Sequence, residues 1–207
     1  MARQPWGERR PSPGAVLDLA THRRASSAEV TAWLGMVVFL GSWAMMFAGL
    51  FFAYGLVRAR AAVWPPLDQP PLPLLLPGLN SAVIAGSSAA LLGALRALGG
   101  RRRRAGAWLV VLAAGLGALF LALQAVVWAR LWQAGLVPSG GPYPSAFYAL
   151  TALHALHVLV GVAALARLAF RARGGRKAPL LSLRLWGMYW HFVGVVWLLM
   201  YLAVYVV

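Results

Sequence analysis

Three histidines within apolar runs are the residues best equipped for chemistry: His154 and His157, three apart and so neighbours on one helical face, and His191 further on. A histidine in hydrocarbon must be hydrogen-bonded, kept neutral or ligated, because an unsatisfied polar group there is costly. Two uses compete. One is a metal or haem site; the other is hydrogen bonding between helices, to Ser, Thr, Tyr or backbone carbonyls. Bis-histidine haem needs ligands on opposite faces of the macrocycle, which two histidines three apart on one helix cannot supply. Either of them paired with His191 could. No carboxylate lies near to orient such a ligand, so the structural use is preferred, and catalytic, cofactor-binding and metal residues are all read as none. Gln124, Ser42, Ser87 and Ser88 are read in the same way, as hydrogen-bonding groups between helices.

Other chemistries are excluded by what is missing. The only acidic side chains in 207 residues are Glu8, Asp18, Glu29 and Asp68, so nothing after Asp68 can form a carboxylate pair or line an ion path with acids. Zero Cys removes disulfides, thiolate metal sites, iron–sulfur clusters and thioether-linked haem.

The elements that must position the histidines follow from composition. The chain is 61% hydrophobic and 11% charged, the balance of a membrane protein rather than a water-soluble globule. Residues 1–29 are polar, contain Pro5, Pro11 and Pro13, and read as a flexible tail without the apolar core of a cleaved signal peptide. Five apolar runs follow, at about 30–57, 79–95, 107–129, 145–170 and 185–207, each near the roughly 20 residues a crossing needs. The expected fold is therefore all-α: a five-helix membrane domain over 30–207. Between the first two runs, Trp64-Pro65-Pro66 begins a proline-rich loop that cannot continue a helix, with its tryptophan suited to the membrane interface.

The formal charge of +15 gives the orientation. Sixteen of the 19 Lys and Arg fall in the tail and in the second and fourth connections, against Arg58, Arg60 and Arg130 on the other side. The N-terminus is accordingly expected in the cytoplasm and the C-terminus in the periplasm of a bacterial inner membrane. The block Arg101, Arg102, Arg103 and Arg104 reads as topogenic and lipid-facing, attracted to anionic phospholipid, and not as a nucleic-acid site.

Apolar helices gain little by burying side chains against each other in lipid, so small residues that let backbones approach become the packing signal. Gly86, Ala90 and Ala94 repeat every four residues in the second run, and Ala113 with Gly117 in the third. In the fifth, Gly187, His191 and Gly194 share one stripe.

Longer motifs carry a resemblance. Tyr189-Trp190-His191-Phe192-Val193, followed by Val195-Val196-Trp197, closely resembles the C-terminal signature of subunit III of haem–copper terminal oxidases. Ala146 to Thr151, leading into His154, His157 and Gly161, resembles the preceding helix of that family. Phe47 to Tyr54, then Trp64-Pro65-Pro66 and Leu79-Asn80-Ser81, resembles its opening helix, loop and second helix start. The resemblance runs through four of the five runs in order. It implies the five-helix form of the family, an accessory subunit that binds no haem or copper itself. Its partners would be the catalytic subunit I, with subunit II and other respiratory-complex subunits beside it, and bound lipids. It further implies support of complex stability and proton uptake, with the opening two helices contributing most to the subunit I contact. The residue count is compatible: three membrane histidines are too few for two haems and a copper, and a dinuclear copper site needs cysteines.

The chain departs from the family pattern in one direction. Trp43, Val127 and Gly194 stand where the family places membrane carboxylates. Joint loss avoids stranding an unpaired charge, and it withdraws support from a proton-handling role. The expected function is thus a non-catalytic subunit of a cytochrome c oxidase. A quinol oxidase or nitric-oxide-reductase-associated homologue is the alternative, and a small transporter or haem-binding anchor is the reading from another class.

Overall fold

The computed structural model describes residues 13–64, 66, 69–100, 102–173 and 180–206, with side chains described from Ser27 onward. Pro65 and Arg101 lie outside the described residues, as do residues 1–12 of the expected tail.

Five α-helices account for the described chain: α1 (Pro13–Arg60), α2 (Leu75–Gly99), α3 (Arg103–Gln133), α4 (Pro142–Arg173) and α5 (Leu180–Met200). The last continues into a π-helical turn, Tyr201–Val206. No strand occurs among the described residues. All five helices are long and apolar enough to cross a membrane, with the first such segment covering Ser27–Arg60.

Every helix starts before the apolar stretch that announced it, and α1 to α4 also run past its end. α3 begins at Arg103 and ends at Gln133, and α4 extends from Pro142 to Arg173. At about 1.5 Å per residue, helices of 31 and 32 residues are roughly 46–48 Å long, well beyond a hydrocarbon core of about 30 Å. Hydropathy marks where lipid ends, whereas Arg and Gln are good helix formers and do not stop the backbone. α1 shows this most: its helical backbone reaches back to Pro13, so residues 13–29, expected as part of a flexible tail, are helical.

The helix ends are set by residues that break the pattern. Gly100 closes α2, its N–H donating to the Arg96 carbonyl. Gly135 and Gly141, in the connection between α3 and α4, adopt φ of +93° and +126°, conformations that L side chains rarely tolerate. Ser145 Oγ donates to the Pro138 and Gly141 carbonyls, and Tyr148 Oη to the Leu136 carbonyl, fastening this connection to the start of α4.

α2, α3 and α4 pack in sequence order, α5 lies against α2 and α4, and α1 rests on α4 and α5. The core between them is built from aromatic side chains, with Trp190, Trp197, Phe120 and Phe147 fully buried. α1 stays at the edge. Only 6% of its most apolar window is buried, and Val38, Met45 and Phe52 project outward.

Candidate functional site

Three of the buried polar residues, Thr151, His154 and His157, lie on α4 where it meets α1, α3 and α5. α4 turns one face inward, bringing Phe147, Leu150, Thr151, His154, His157, Val158 and Gly161 into the interior at helical spacing. His154 and His157 therefore share a buried face, as their spacing predicts.

His154 sits among rings: Phe120 of α3 at 5.9 Å, Phe47 of α1 at 6.2 Å and Trp197 of α5 at 5.6 Å between centroids. Neither of its ring nitrogens has a hydrogen-bond partner among the described residues. His157 is anchored locally. Its Nδ1 lies 2.6 Å from the Leu153 carbonyl, and because a carbonyl only accepts, Nδ1 carries a proton and donates. Trp43 meets this ring edge-on at 4.1 Å, and Phe47 meets it at 5.2 Å. Tyr189 Oη donates to the His157 carbonyl at 3.0 Å, linking α5 to the same turn.

His191 is only half-buried, and its Nε2 also lacks a partner. Among the described residues no three His, Cys, Asp or Glu side chains are grouped closely enough to hold a metal ion. The ring His154 meets on α5 is that of Trp197. His154 and His157 thus pack against aromatic rings of neighbouring helices, and of the partners expected from the sequence, Ser, Thr, Tyr or backbone carbonyls, His157 takes a backbone carbonyl, that of Leu153 in its own helix.

Two of the three tryptophans of α5, Trp190 and Trp197, act as cross-braces. Trp190 Nε1 donates to Ser87 Oγ at 3.0 Å, and Ser87 donates in turn to the Ala113 carbonyl at 2.7 Å, joining α5, α2 and α3. Trp197 Nε1 donates to Ser81 Oγ at 3.0 Å. A third brace runs from Trp128 Nε1 to Thr151 Oγ1, between α3 and α4. Ser42, expected to join helices, instead donates to the Val38 carbonyl of its own helix and is exposed. Its hydroxyl satisfies itself one turn back, as exposed Ser commonly does.

Close backbone approach is concentrated at Trp190. A Cβ at Gly117 would lie 2.6 Å from Trp190 Cη2, and one at Gly161 2.7 Å from Trp190 Cε3, so the indole fits only because both are glycine. Gly187 and Gly194 face α2 at ordinary contact distance, beside Leu95 and Ser88. Ala90 and Ala94 are buried as expected. Gly86 is not a tight contact: it is exposed, and a Cβ there would meet only Leu116 Cδ1 at 3.8 Å. A four-residue repeat defines a stripe but not how far along it the neighbouring helix remains close.

Two of the positions that lack the expected carboxylates are filled by apolar contact. Trp43 covers His157, and Val127 is fully buried in the core. At the third, Gly194 leaves room for the Ser88 hydroxyl. At the end of the bundle that holds the longer connections, Trp64 is edge-on to Tyr54 at 5.5 Å and to Tyr143 at 4.9 Å, tying the first connection to α1 and α4. At the opposite end Arg102, Arg103 and Arg104 are exposed, and the Arg173 guanidinium lies 4.6 Å over the Trp108 ring.

Five membrane-crossing helices, with buried polar groups engaged mainly in bracing one helix against another, define a multi-pass membrane bundle. The family profile for Cytochrome c oxidase subunit III matches residues 19–207, which takes in all five membrane-crossing segments, and the chain belongs to that family. It is 33% identical over 176 residues to the cytochrome c oxidase subunit 3 of Synechocystis sp., covering 83% of this chain and 73% of that protein. It is 31% identical over 179 residues to that of Thermostichus vulcanus, covering 84% and 86%. The counterpart from Damaliscus lunatus is 33% identical over 184 residues, 83% of this chain and 67% of that protein.

Proposed function

We propose that this chain is the non-catalytic third subunit of a haem–copper terminal oxidase, a cytochrome c oxidase of aerobic respiration, held in a bacterial inner membrane with its N-terminus in the cytoplasm. In that role it docks on the catalytic subunit, stabilises it and retains phospholipid at the contact. The observation that carries this reading is the family match over residues 19–207 together with a buried signature. Trp190 and Trp197 are spent on holding α5 to α2, which is the work of a scaffold.

The surface supports the partner reading. α1 offers a long apolar face that its own bundle leaves uncovered, suited to lipid or to another membrane subunit. Phospholipid retention has a specific candidate. A groove of about 460 Å³ between α4 and α5 is lined by Val160, Ala163, Ala164, Leu168, Arg167, Arg171, Ser182 and Trp186. Apolar walls with two guanidinium groups suit an acyl chain ending in an anionic headgroup.

The test is affinity purification of the tagged chain from membranes in mild detergent, with identification of copurifying chains and a reduced-minus-oxidised spectrum. The expected result is a stoichiometric catalytic subunit and its haem signals. Recovery of the chain without any haem-bearing partner would overturn the proposal.

A further inference from the structure

A cluster of buried polar atoms at the end of the bundle away from the arginine-rich connections serves no bracing contact. Tyr54 Oη, Asn80 Oδ1, Gln124 Nε2 and Tyr205 Oη each lack a hydrogen-bond partner among the described residues. The residues that carry them are among the most enclosed in the protein, Asn80 being 0% and Gln124 1% exposed. They come from four separate elements: α1, α2, α3 and the π-helical turn.

The geometry of the amide pair is specific. Asn80 Nδ2 donates to Gln124 Oε1 at 3.4 Å, a long contact that uses one atom of each amide. An acceptor, Asn80 Oδ1, and a donor, Gln124 Nε2, are left over. The Tyr205 hydroxyl lies beside Gln124, close enough to interact but outside direct hydrogen-bond geometry, and within electrostatic reach of Tyr143 and Tyr54. Trp64, edge-on to Tyr54 and Tyr143, packs against the outer side of the cluster. The backbone is shaped to deliver Tyr205: the helix widens into the π-helical turn, and Val204 and Tyr205, adjacent in sequence, are both buried. Such turns are uncommon and recur at sites with a task.

We propose that Gln124, Asn80, Tyr205 and Tyr54 form a buried water-binding site. At least one ordered molecule accepts from Gln124 Nε2, donates to Asn80 Oδ1 and meets the Tyr205 hydroxyl, and the network extends to Tyr54. Water fits better than the other small occupants. A metal cation would be repelled by the amide N–H, and an anion by Asn80 Oδ1, whereas water both donates and accepts and needs two to four polar partners. The site joins four elements, and the long Asn80–Gln124 contact between α2 and α3 is the direct polar link described among them there, so the water acts as a structural member of the bundle.

Radiolytic hydroxyl labelling in intact membranes, with 18O-enriched water and mass-spectrometric readout, tests this because buried bound water labels the side chains that hold it. Tyr54 and Tyr205 are expected to take up 18O despite their burial, well above the equally buried Phe120 and Phe147. In Gln124→Leu the label at Tyr205 is expected to fall to the level of Phe120. Label at Tyr205 no higher than at the two phenylalanines, or label unchanged by Gln124→Leu, overturns the proposal. If the leucine variant fails to assemble, an electron cryomicroscopy map of the wild-type complex that shows buried waters elsewhere decides the matter. Density bridging Gln124 and Asn80 upholds the site, and a direct Gln124–Tyr205 hydrogen bond without density refutes it.

Discussion

Trp190 is held by two glycines and a serine, and its substitution behaviour follows from that. A methyl group at Gly161 or Gly117 would occupy space now filled by the indole, and overpacking of this kind costs about 1–3 kcal/mol. Gly161→Ala should therefore lower the thermal midpoint in detergent, whereas Gly86→Ala, at an exposed position with ordinary clearance, should stay within about 0.5 kcal/mol of the parent. Equal melting of the two variants would remove Trp190 from its central place in the packing. The carboxylate inventory supplies a second expectation. Beyond Asp68 the chain has no acidic side chain, so a carboxyl-reactive carbodiimide should leave the segment from α2 to α5 unlabelled, and Trp43→Glu should create a labelled site beside His157. Mass spectrometry of the treated protein reads both outcomes. At this scale the sequence was partly legible. The shared face of His154 and His157 and the burial of Ala90 could be read from spacing. The brace from Trp190 to Ser87 could not, because its partners are 103 residues apart and no local pattern links them. The cluster of Tyr54 and Tyr205 escaped notice for the same reason.

Helix boundaries and helix pairing obey different physics. The apolar runs gave the number and order of the helices correctly, since a membrane leaves a long apolar segment few alternatives to a helix. They gave the ends short, because hydropathy falls at the lipid boundary while the backbone hydrogen bonding of α3 and α4 continues through Arg and Gln. Pairing was invisible. α1 does not pack in sequence order; it rests on α4 and α5 through Phe39 on Tyr189 and through Trp43 and Phe47 on the histidines. Stacked and edge-on aromatic contacts of this kind are worth about 0.5–1.5 kcal/mol beyond the area they bury. Loss of the Trp43 ring should accordingly loosen α1. Because the chain contains no cysteine, a single Phe47→Cys reports on that seam without background. Its thiol should react slowly with a maleimide in detergent, and faster once Trp43→Ala is added. No change in rate would mean that α1 is held by something other than this seam.

Taken whole, the molecule is a braced bundle with one sparsely covered helix and strongly unequal charge at its two ends. In the proposed orientation, argued from the excess of arginine in the tail and in the second and fourth connections, those segments face the cytoplasm and the third connection and the C-terminus lie across the membrane. Single cysteines at Ser139 and at Arg103 test this in intact cells with a membrane-impermeant thiol reagent: labelling at Ser139 alone is expected, and labelling at Arg103 alone would invert the topology. The central claim is that the chain accompanies redox chemistry and holds no pigment of its own. The most direct measurement is to dissociate the purified complex with a harsher detergent, separate this chain from its partners and record the absorbance of each fraction. The account predicts that the Soret band stays with the partner subunits and that the isolated chain shows none. A stoichiometric Soret band travelling with this chain would contradict it.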